Sequence, residues 1–582
     1  MYTTGGWRMK QLMLGNEAVA RGIYEAGCAL VFSYPGTPST EITEYAAKYS
    51  GITAEWSPNE KVALEAAIGA SMVGARAFCA MKHVGLNVAA DPLFTLAYTG
   101  VSGGLVIAVA DDPGMHSSQN EQDTRSVAAA ARVPVLEPAD SAECRELTIL
   151  AFEISERFDV PVIIRLTTRI AHSRSLVETG EARAARLEDY QKNPQKNVMV
   201  PANARGRRVN LEERMAALLE YSEKSGINTV EEGEGIGIIA SGVCRLYARE
   251  GAPEGSGVLS IRMSYPLPDK LIKEFASGYK NVVVAEELDA VIETRCKVLG
   301  VDAVGKDIFP AYGEYSQRMI AEKLRGETPE YESFGDVIPL RPPVLCAGCT
   351  HRGVFYVLCK LDLFVSGDIG CYTLAAAPPL SAIDTTVCMG ASVSGLHGVL
   401  KARPDWSKRA VAVIGDSTFL HSGVTGLIDI VYNQSNATVI ILDNATTGMT
   451  GHQHNPSTGF DVRGNSAPVI DLEALCLACG VKRVAVVDPY DLDSVEKSIL
   501  EELSAAEPSV IIMKRPCALL KSSVKGTPYR IEGDKCRGCK KCLALGCPAI
   551  CMSKTAAIEE NICFGCGMCK CVCPFGAIVE VV

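Results

Sequence analysis

The sequence lacks the features of a membrane-spanning or exported protein. No apolar run in its 582 residues approaches the ~20 residues that a transmembrane helix needs. Residues 1–15 show neither a signal-peptide layout nor a lipidation motif, so we expect a cytoplasmic protein. An excess of basic residues is also missing, and the net charge of −11 argues mildly against nucleic acid as a partner. A composition of 47% hydrophobic and 21% charged residues is typical of a globular chain with ample core material.

A dinucleotide-binding fingerprint is missing as well. Residues 235–240 fit a loose GxGxxA pattern, but their glycines precede a predicted strand, whereas such a site needs them after the strand. Cysteine, in contrast, is abundant, with 23 in the chain and ten of them between Cys536 and Cys573. Clustered cysteines in a large, unsecreted chain indicate metal or redox chemistry and not disulfides.

Short apolar strands alternate with helices along most of the chain, which predicts an α/β fold with parallel sheets. The expected domains are, in order, an α/β block at 1–180, a charged linker at 181–234, a smaller α/β block at 235–325, a third α/β block at 344–520 and a compact cysteine module at 525–582. The linker carries one predicted helix over 211–222, and a proline-bearing connector covers 334–343.

Two successive strands of the third block end in polar residues. The apolar, β-branched runs 411–414 and 440–442 lead to Asp416 and Asn444, with a helical pattern over 423–434 between them. Parallel strands deliver such side chains to the carboxyl edge of the sheet, where open α/β folds bind ligands. A carboxylate and an amide oxygen suit Mg2+ held together with phosphates. The residues alone leave two interpretations open, a Mg2+–diphosphate site or two ordinary strand ends.

The cysteine module contains two similar runs, each closed by a Cys-Pro pair. In two-cluster ferredoxins the fourth cysteine of each run ligates the other cluster. By this rule one 4Fe–4S cluster is held by Cys536, Cys539, Cys542 and Cys573, and the second by Cys563, Cys566, Cys569 and Cys547. Structural zinc, the alternative, would use two pairs of cysteines and not two triplets. Cys551 and Cys571 are left over as packed or free thiols.

Gly415-Asp416-Ser417, with Asn444 28 positions after Asp416, resembles the thiamine diphosphate motif, a GDG followed by Asn after a similar interval. In that family the Asp, the Asn and a backbone carbonyl two residues later bind Mg2+. The resemblance therefore implies that Gly415, Asp416, Ser417, Asn444 and Thr446 bind the cofactor, with Asp416, Asn444 and Thr446 on the metal. Ser417, where the general motif has glycine, is similar to the arylpyruvate branch of the 2-oxoacid:ferredoxin oxidoreductases.

The resemblance extends to residues 59–71, which are similar to the pyrimidine-binding segment of the family. It implies that Glu60 hydrogen-bonds the aminopyrimidine ring and promotes loss of the thiazolium proton, a task suited to a carboxylate in a dry pocket. Two alternatives stay open. Glu60 merely opens a helix, where acidic residues are favoured, or Glu65 takes the catalytic role.

Three further segments resemble the same family. The turn at 34–39 implies Thr37 near the 2-oxoacid, and the loop at 112–125 implies Arg125 on the substrate carboxylate, which a guanidinium fits bidentately. The alternative for Arg125 is a surface salt bridge. Met449, before Thr450-Gly451-His452-Gln453, stands where pyruvate-type relatives have Asn, and its flexible apolar side chain suits an aromatic substrate.

A third cluster is implied in addition. Cys346-Ala-Gly-Cys349 is similar to the segment that binds a cluster beside thiamine in pyruvate:ferredoxin oxidoreductases. Those enzymes complete the cluster with cysteines like Cys371 and Cys517, so the implied ligands are Cys346, Cys349, Cys371 and Cys517.

The resemblance covers nearly the whole chain and is closest to the large, alpha subunits of the indolepyruvate branch. It implies pyrimidine-binding, transketolase-C-like, diphosphate-binding and ferredoxin-type domains. The implied reaction converts an arylpyruvate, such as indolepyruvate, and coenzyme A to aryl-acetyl-CoA and CO2, with electrons passed to ferredoxin. The implied cofactors are thiamine diphosphate, Mg2+ and two or three 4Fe–4S clusters. A smaller beta subunit with a gamma-type domain is the implied partner, in a dimer of heterodimers.

Other functions fit the same motifs. The substrate is pyruvate or another 2-oxoacid in one alternative, and in a second the chain is a non-oxidative thiamine-dependent decarboxylase. A third alternative is a non-catalytic electron-transfer subunit, against which the retained Glu60, Asp416 and Asn444 argue. The motifs do not distinguish indolepyruvate, phenylpyruvate and hydroxyphenylpyruvate.

Overall fold

The computed structural model describes residues 10–185, 187–327, 335, 338–339 and 341–581. The chain divides into two compact units, Met1–Phe334 and Gly335–Val582. The expectation for residues 1–15 falls largely outside the described residues, and that for the connector at 334–343 falls partly outside them. None of the described helices is long and apolar enough to cross a membrane.

The first unit alternates strands and helices. Its elements are β1 (Lys10–Leu14), α1 (Gly15–Glu25), β2 (Leu30–Ser33), α2 (Thr40–Ala46), β3 (Thr53–Trp56), α3 (Glu60–Met72), β4 (Ala77–Lys82), α4 (His83–Val88), α5 (Ala90–Thr99), β5 (Leu105–Asp111), α6 (Thr124–Ala131), β6 (Val135–Leu136), α7 (Ser141–Phe158), β7 (Val162–Thr167), α8 (Thr168–His172), β8 (Arg174–Glu178), α9 (Pro194–Asn197) and α10 (Pro201–Lys224). It continues with β9 (Thr229–Glu231), β10 (Gly237–Ser241), α11 (Cys244–Gly251), β11 (Gly257–Ile261), β12 (Met263–Tyr265), α12 (Asp269–Ser277), β13 (Val282–Ala285), α13 (Val291–Val298), β14 (Ala303–Val304) and α14 (Gln317–Arg325).

The main sheet of this unit has the strand order β12-β6-β7-β5-β4-β2-β3 and is parallel except for β12. Strands β5 and β7 are buried along their whole length, as continuous apolar strands covered by helices on both faces should be. The chain runs from β2 to β3 on one side and from β4 to β5 on the other, so its direction across the sheet reverses between β2 and β4. A second sheet has the order β14-β13-β10-β11-β9.

Within the predicted linker, a long helix packs on the first unit, whereas the described residues from 181 to 200 are mostly exposed. Helix α10 begins at Pro201, ten residues before the predicted start at Leu211, with proline in its first turn. The first half of the helix has few apolar residues, but Arg207 donates to the carbonyls of Tyr98 and Thr99 at 2.7 and 2.9 Å. Apolar periodicity misses this first half because arginines, and not apolar side chains, attach it to the end of α5.

The second unit contains a parallel sheet and the cysteine module. Its elements are α15 (His351–Lys360), β15 (Phe364–Ser366), a 3-10 turn (Cys371–Ala376), α16 (Ala391–Ala402), a 3-10 turn (Pro404–Lys408), β16 (Ala410–Gly415), α17 (Asp416–Thr418), a π-helical turn (Phe419–Gly423), α18 (Val424–Tyr432), β17 (Thr438–Asp443), α19 (Leu472–Ala478), β18 (Arg483–Val487), α20 (Leu492–Ser504), β19 (Ser509–Lys514), β20 (Tyr529–Ile531), a 3-10 turn (Lys541–Leu545), β21 (Ile550–Met552), β22 (Ala556–Ile558), α21 (Met568–Cys571) and β23 (Ile578–Glu580). The sheet order is β15-β16-β17-β19-β18, all parallel.

The cysteine module shares its hydrophobic core with this sheet. Buried residues of α15, among them Phe355 and Leu358, form one apolar cluster with Leu545, Ile550 and Met568 of the module. Arg352 is buried between them and donates to the carbonyls of Leu545, Leu345 and Cys346 at 2.5 to 2.9 Å. The module is therefore an integral part of the second unit and not an appended domain.

Candidate functional site

Asp416 and Asn444 follow the ends of neighbouring strands, as predicted. β16 and β17 pair in parallel, with Gly415 opposite Leu442, so the two polar residues emerge at the same sheet edge. Asp416 is buried, which raises the pKa of its carboxyl to about 7, and the nearby Asp443 carboxylate adds to the rise. Two buried carboxylates that repel each other are the arrangement that a bound cation would stabilise. The residues present therefore fit a hard divalent cation.

Neighbouring polar groups orient this edge. Asn455 Nδ2 and Ser457 Oγ each donate to Asp416 Oδ2 at 3.4 Å. Asn444 Oδ1 accepts the Thr446 backbone N–H at 3.3 Å, and its Nδ2 faces His351 Nε2 at 3.3 Å. Burial lowers the pKa of His351 to about 4, so the imidazole is neutral. Sequence reasoning did not select Asn455, Ser457 or His351, because none of them ends a predicted strand.

Ser417 has a structural role that its sequence position did not explain. Its Oγ accepts a hydrogen bond from Thr447 Oγ1 at 3.0 Å. Glycine at this position could not make that bond, which ties the start of α17 to the loop after β17. The same loop carries Met449, half exposed at 51%, and Gln453, which accepts from Thr450 Oγ1.

Four cysteines from distant parts of the second unit lie together beside this edge. Burial raises the pKa of Cys371 to about 11, and the thiols of Cys517 and Cys346 add to it. Burial likewise raises the pKa of Cys349 to about 12, with Cys371 and Cys346 contributing. A Cβ placed on Gly448 would be 3.4 Å from Cys371 Sγ and 3.8 Å from Asn444 Nδ2. The four thiols predicted for the third cluster are thus neighbours of each other and of the Asn444 loop.

The eight module cysteines surround two cavities, divided as the crossed pairing predicts. One cavity has about 350 Å³ of atom-free space, its open mouth included, and is lined by Cys536, Cys539, Cys542 and Cys573. The other, of about 370 Å³ measured in the same way, is lined by Cys547, Cys563, Cys566 and Cys569 together with Gly348 and Arg352. Cys551 and Cys571 line neither cavity.

No three His, Cys, Asp or Glu side chains among the described residues are gathered to hold a single metal ion. A four-iron cluster makes a different demand, because each cysteine binds a separate iron and the sulfurs surround a space. The two four-cysteine cavities fit that demand.

Glu60 is the first residue of α3 and is buried. Asn59 caps the helix, its side chain accepting the Val62 N–H at 2.9 Å. The Glu60 carboxylate lies against α4, where a Cβ added to Gly85 would be 2.6 Å from Glu60 Oε1. Glu65, the rival candidate, is exposed and pairs with Lys61 on the helix surface. Burial thus favours Glu60 over Glu65 for acid–base chemistry in a dry pocket.

Arg125 lies in a different environment from the one expected. It is fully buried, and its guanidinium donates to the carboxylates of Asp123 and Glu286 and to the carbonyls of Glu287 and Asp289. All three guanidinium nitrogens are engaged by these acceptors. This placement argues against both expectations for Arg125, a contact with the substrate carboxylate and a surface salt bridge. The sequence could not show this, because Glu286 is 161 residues away.

Replacing Arg125 with methionine should therefore impair folding. Glu286 would remain as a buried carboxylate without its cation, and Asp123 would keep only Arg165, at 3.7 Å. Breaking a buried ion pair in this way costs about 3–5 kcal/mol in typical cases. We expect a lower melting temperature, measured by calorimetry, and an unchanged KM for the 2-oxoacid in the protein that remains folded. Arg208→Met, at an exposed arginine paired with Glu212, is the control. A fully stable Arg125→Met protein with a raised KM would restore the substrate-binding role.

Comparison with known proteins adds to this geometry. Residues 21–226 match the family model described as "Pyruvate flavodoxin/ferredoxin oxidoreductase, thiamine diP-bdg", and residues 368–513 match "Thiamine pyrophosphate enzyme, C-terminal TPP binding domain". Indolepyruvate oxidoreductase subunit IorA of Pyrococcus horikoshii is 40% identical over 98% of this chain and 97% of its own. The chain belongs to the indolepyruvate oxidoreductase IorA family. The IorA subunit of Methanothermobacter marburgensis is 42% identical over 97% of this chain and 96% of its own.

The expected membership of the thiamine diphosphate-dependent 2-oxoacid:ferredoxin oxidoreductases is thereby confirmed, as are two thiamine-binding α/β regions. Among solved structures, the chain is similar to a 2-oxoglutarate:ferredoxin oxidoreductase from Magnetococcus marinus. That match has a TM-score of 0.47 and 17% identity over 55% of this chain and 65% of the other.

Proposed function

We propose that this protein catalyses the oxidative decarboxylation of arylpyruvates with coenzyme A and passes the electrons to ferredoxin. The observation that carries the proposal is the sheet edge of the second unit. There, a buried carboxylate suited to a divalent cation lies beside four clustered thiols. A cation–diphosphate site next to an electron acceptor is what oxidative, as opposed to simple, decarboxylation requires. The identity of about 40% to IorA subunits over nearly the full chain supports the same function.

Different residues of the chain would bind the cofactor, move a proton and contact the substrate. When bound, thiamine diphosphate accepts the electron pair that the substrate releases as CO2 leaves. Asp416, Asn444 and the Thr446 carbonyl would hold Mg2+ and with it the diphosphate, while Gly415 and Ser417 shape the turn around them. Glu60 would exchange a proton with the aminopyrimidine ring. Thr37 and Met449 remain candidates for substrate contact.

The cysteines would hold three 4Fe–4S clusters. Cys346, Cys349, Cys371 and Cys517 form the group beside the Asn444 loop. The cavity of Cys547, Cys563, Cys566 and Cys569 is walled by Gly348 and Arg352, next to Cys346 and Cys349. The cavity of Cys536, Cys539, Cys542 and Cys573 is lined by module residues alone, and Cys539 is exposed. We propose that electrons pass through the clusters in this order and leave near Cys539.

A second, smaller subunit with a gamma-type domain completes the enzyme in this proposal, in a dimer of heterodimers. The curated relatives are named as subunits, which supports a partner chain. Indolepyruvate is the substrate named for those relatives, and we extend it to aromatic 2-oxoacids because Met449 is apolar and half exposed.

The deciding experiment measures ferredoxin reduction by the purified complex over a panel of 2-oxoacids. We expect CoA-dependent reduction with indolepyruvate and phenylpyruvate, and at least about tenfold lower kcat/KM with pyruvate, since an aromatic ring buries far more apolar area. Release of free aldehyde without CoA dependence would favour a non-oxidative decarboxylase. Thiamine-free protein that still exchanges electrons with ferredoxin would favour a non-catalytic subunit.

A further inference from the structure

Lys82 is the last residue of β4 and lies where the chain direction across the first sheet reverses. Open α/β sheets bind ligands in the crevice outside the carboxyl ends of two such strands. The turn that follows β2 meets Lys82 there, since a Cβ on Gly36 would lie 3.1 Å from Lys82 Cβ. The strand order therefore indicates a ligand-binding crevice next to this side chain.

The Lys82 ammonium has three N–H donors, and the described residues do not accept from all of them. It donates to the Ser117 carbonyl at 2.9 Å and approaches Ser117 Oγ at 3.4 Å, and it forms no ion pair with a described carboxylate. Burial lowers its pKa, which the charge of Asp112 partly offsets. Asp112 is itself occupied by hydrogen bonds from Ser117, Ser118 and Thr168. A half-buried cation without a carboxylate partner is costly unless an anion joins it.

Thr37 supplies a second free group at the same place. In the run from Tyr34 to Thr40 it alone is not buried, and its hydroxyl makes no hydrogen bond to any residue that the structure describes. Ser117 Oγ lies 3.4 Å from the Thr37 carbonyl, so one serine contacts both Lys82 and the Thr37 turn. Helix α4, which begins directly after Lys82, also carries Gly85, against which the Glu60 carboxylate packs.

We propose that Lys82 binds the carboxylate of the 2-oxoacid substrate, with the Thr37 hydroxyl beside it. This inference rests on the proposed function and assigns the task that the burial of Arg125 leaves open. One ammonium with Asp112 close by suits a singly charged anion, whereas the nearby carboxylate would repel a diphosphate or the phosphates of coenzyme A. A charged lysine and a hydroxyl together match a carboxylate, which accepts hydrogen bonds on two oxygens.

The test compares Lys82→Met, Lys82→Arg and the control Lys224→Met in the complete, cofactor-loaded enzyme. Lys224 is exposed on α10 and, among the described carboxylates, pairs with Glu220 alone. Loss of a charge-assisted hydrogen bond should raise the KM for phenylpyruvate about 10- to 100-fold in Lys82→Met. The KM for coenzyme A should stay within about twofold, Lys82→Arg should recover part of the loss, and Lys224→Met should match the unchanged enzyme.

A binding measurement separates substrate affinity from catalysis. Methyl phenylacetylphosphonate is a singly charged analogue that cannot lose CO2, and titration calorimetry without coenzyme A should show its affinity falling by the same factor in Lys82→Met. An unchanged KM and phosphonate affinity would overturn the proposal. So would a primary loss of thiamine diphosphate affinity or a raised KM for coenzyme A, since either would assign Lys82 to another anion.

Failure of the proposed function has a different signature. If the unchanged enzyme fails to reduce ferredoxin with every 2-oxoacid tested, the proposed function is wrong, whatever the role of Lys82. If the unchanged enzyme and Lys224→Met are active and Lys82→Met is equally active at low substrate concentration, only the role of Lys82 is wrong. Melting temperatures within about 2 °C of each other would show that the three variants are folded, since about 1 kcal/mol shifts a domain of this size by a few degrees.

Discussion

Replacing Glu60 with glutamine is expected to abolish decarboxylation while the protein still binds thiamine diphosphate. Glutamine has the shape of glutamate and fits the same buried position at the start of α3. It cannot exchange a proton with the aminopyrimidine ring, so the rate should fall by at least about 10²- to 10⁴-fold, the usual contribution of acid–base catalysis. Release of labelled CO2 measures the reaction, and titration calorimetry with thiamine diphosphate and Mg2+ measures binding.

Glu65→Gln is the matched control, because Glu65 lies on the same helix but is exposed and paired with Lys61. It should retain nearly full activity. If Glu60→Gln releases CO2 at the unchanged rate, or if only Glu65→Gln loses activity, the role assigned to Glu60 is wrong. Loss of cofactor binding in Glu60→Gln would mean that its charge holds the ring in place and does not move its proton.

Replacing both Cys536 and Cys539 with alanine is expected to stop electron transfer to ferredoxin. These residues line the cavity that only module residues enclose, and Cys539 is exposed. The double variant should lose about four irons per chain, from about twelve to about eight, since each cluster holds four. CO2 release should then stall because the electrons have no exit. Iron analysis and a ferredoxin-reduction assay measure the two effects.

Cys551→Ala provides the control, because this exposed thiol lines neither cavity. It should leave iron content and ferredoxin reduction unchanged. About eight irons in the unchanged protein would refute the cluster of Cys346, Cys349, Cys371 and Cys517. Undiminished ferredoxin reduction in the double variant would refute the exit route. Deletion of residues 525–582 is a poorer test, because it would also expose the core that the module shares with α15.

Sequence patterns predicted the features that local chemistry determines. The strands before Asp416 and Asn444 could be assigned from their short apolar, β-branched runs, and their pairing in the structure confirms that assignment. The crossed pairing rule for the two cysteine runs divided the eight cysteines in the same way as the two cavities do. In both cases the information lies in short stretches of residues, which can be read directly along the chain.

Other features depend on partners far away in the chain. Arg125 resembled a substrate-binding residue, yet Glu286 and the carbonyls after it enclose the guanidinium. Asn455 and Ser457 contact Asp416 from a loop with no periodic pattern. Lys82 attracts notice only once the strand order is known, because the reversal between β2 and β4 is a property of the sheet. The spacing of residues along the chain does not predict such long-range contacts.

The buried Arg352 has a consequence for how the protein would respond to damage. It joins the segment before α15 to the 3-10 turn of the cysteine module through three backbone carbonyls. Loss of iron from the adjacent cavity would loosen that turn and leave the guanidinium without one of its acceptors. Iron content and thiamine affinity are then thermodynamically linked, since each favours the same folded state of the second unit. Oxidative destruction of the proposed cluster would therefore lower the stability of the second unit, and bound thiamine diphosphate would offset only part of that loss.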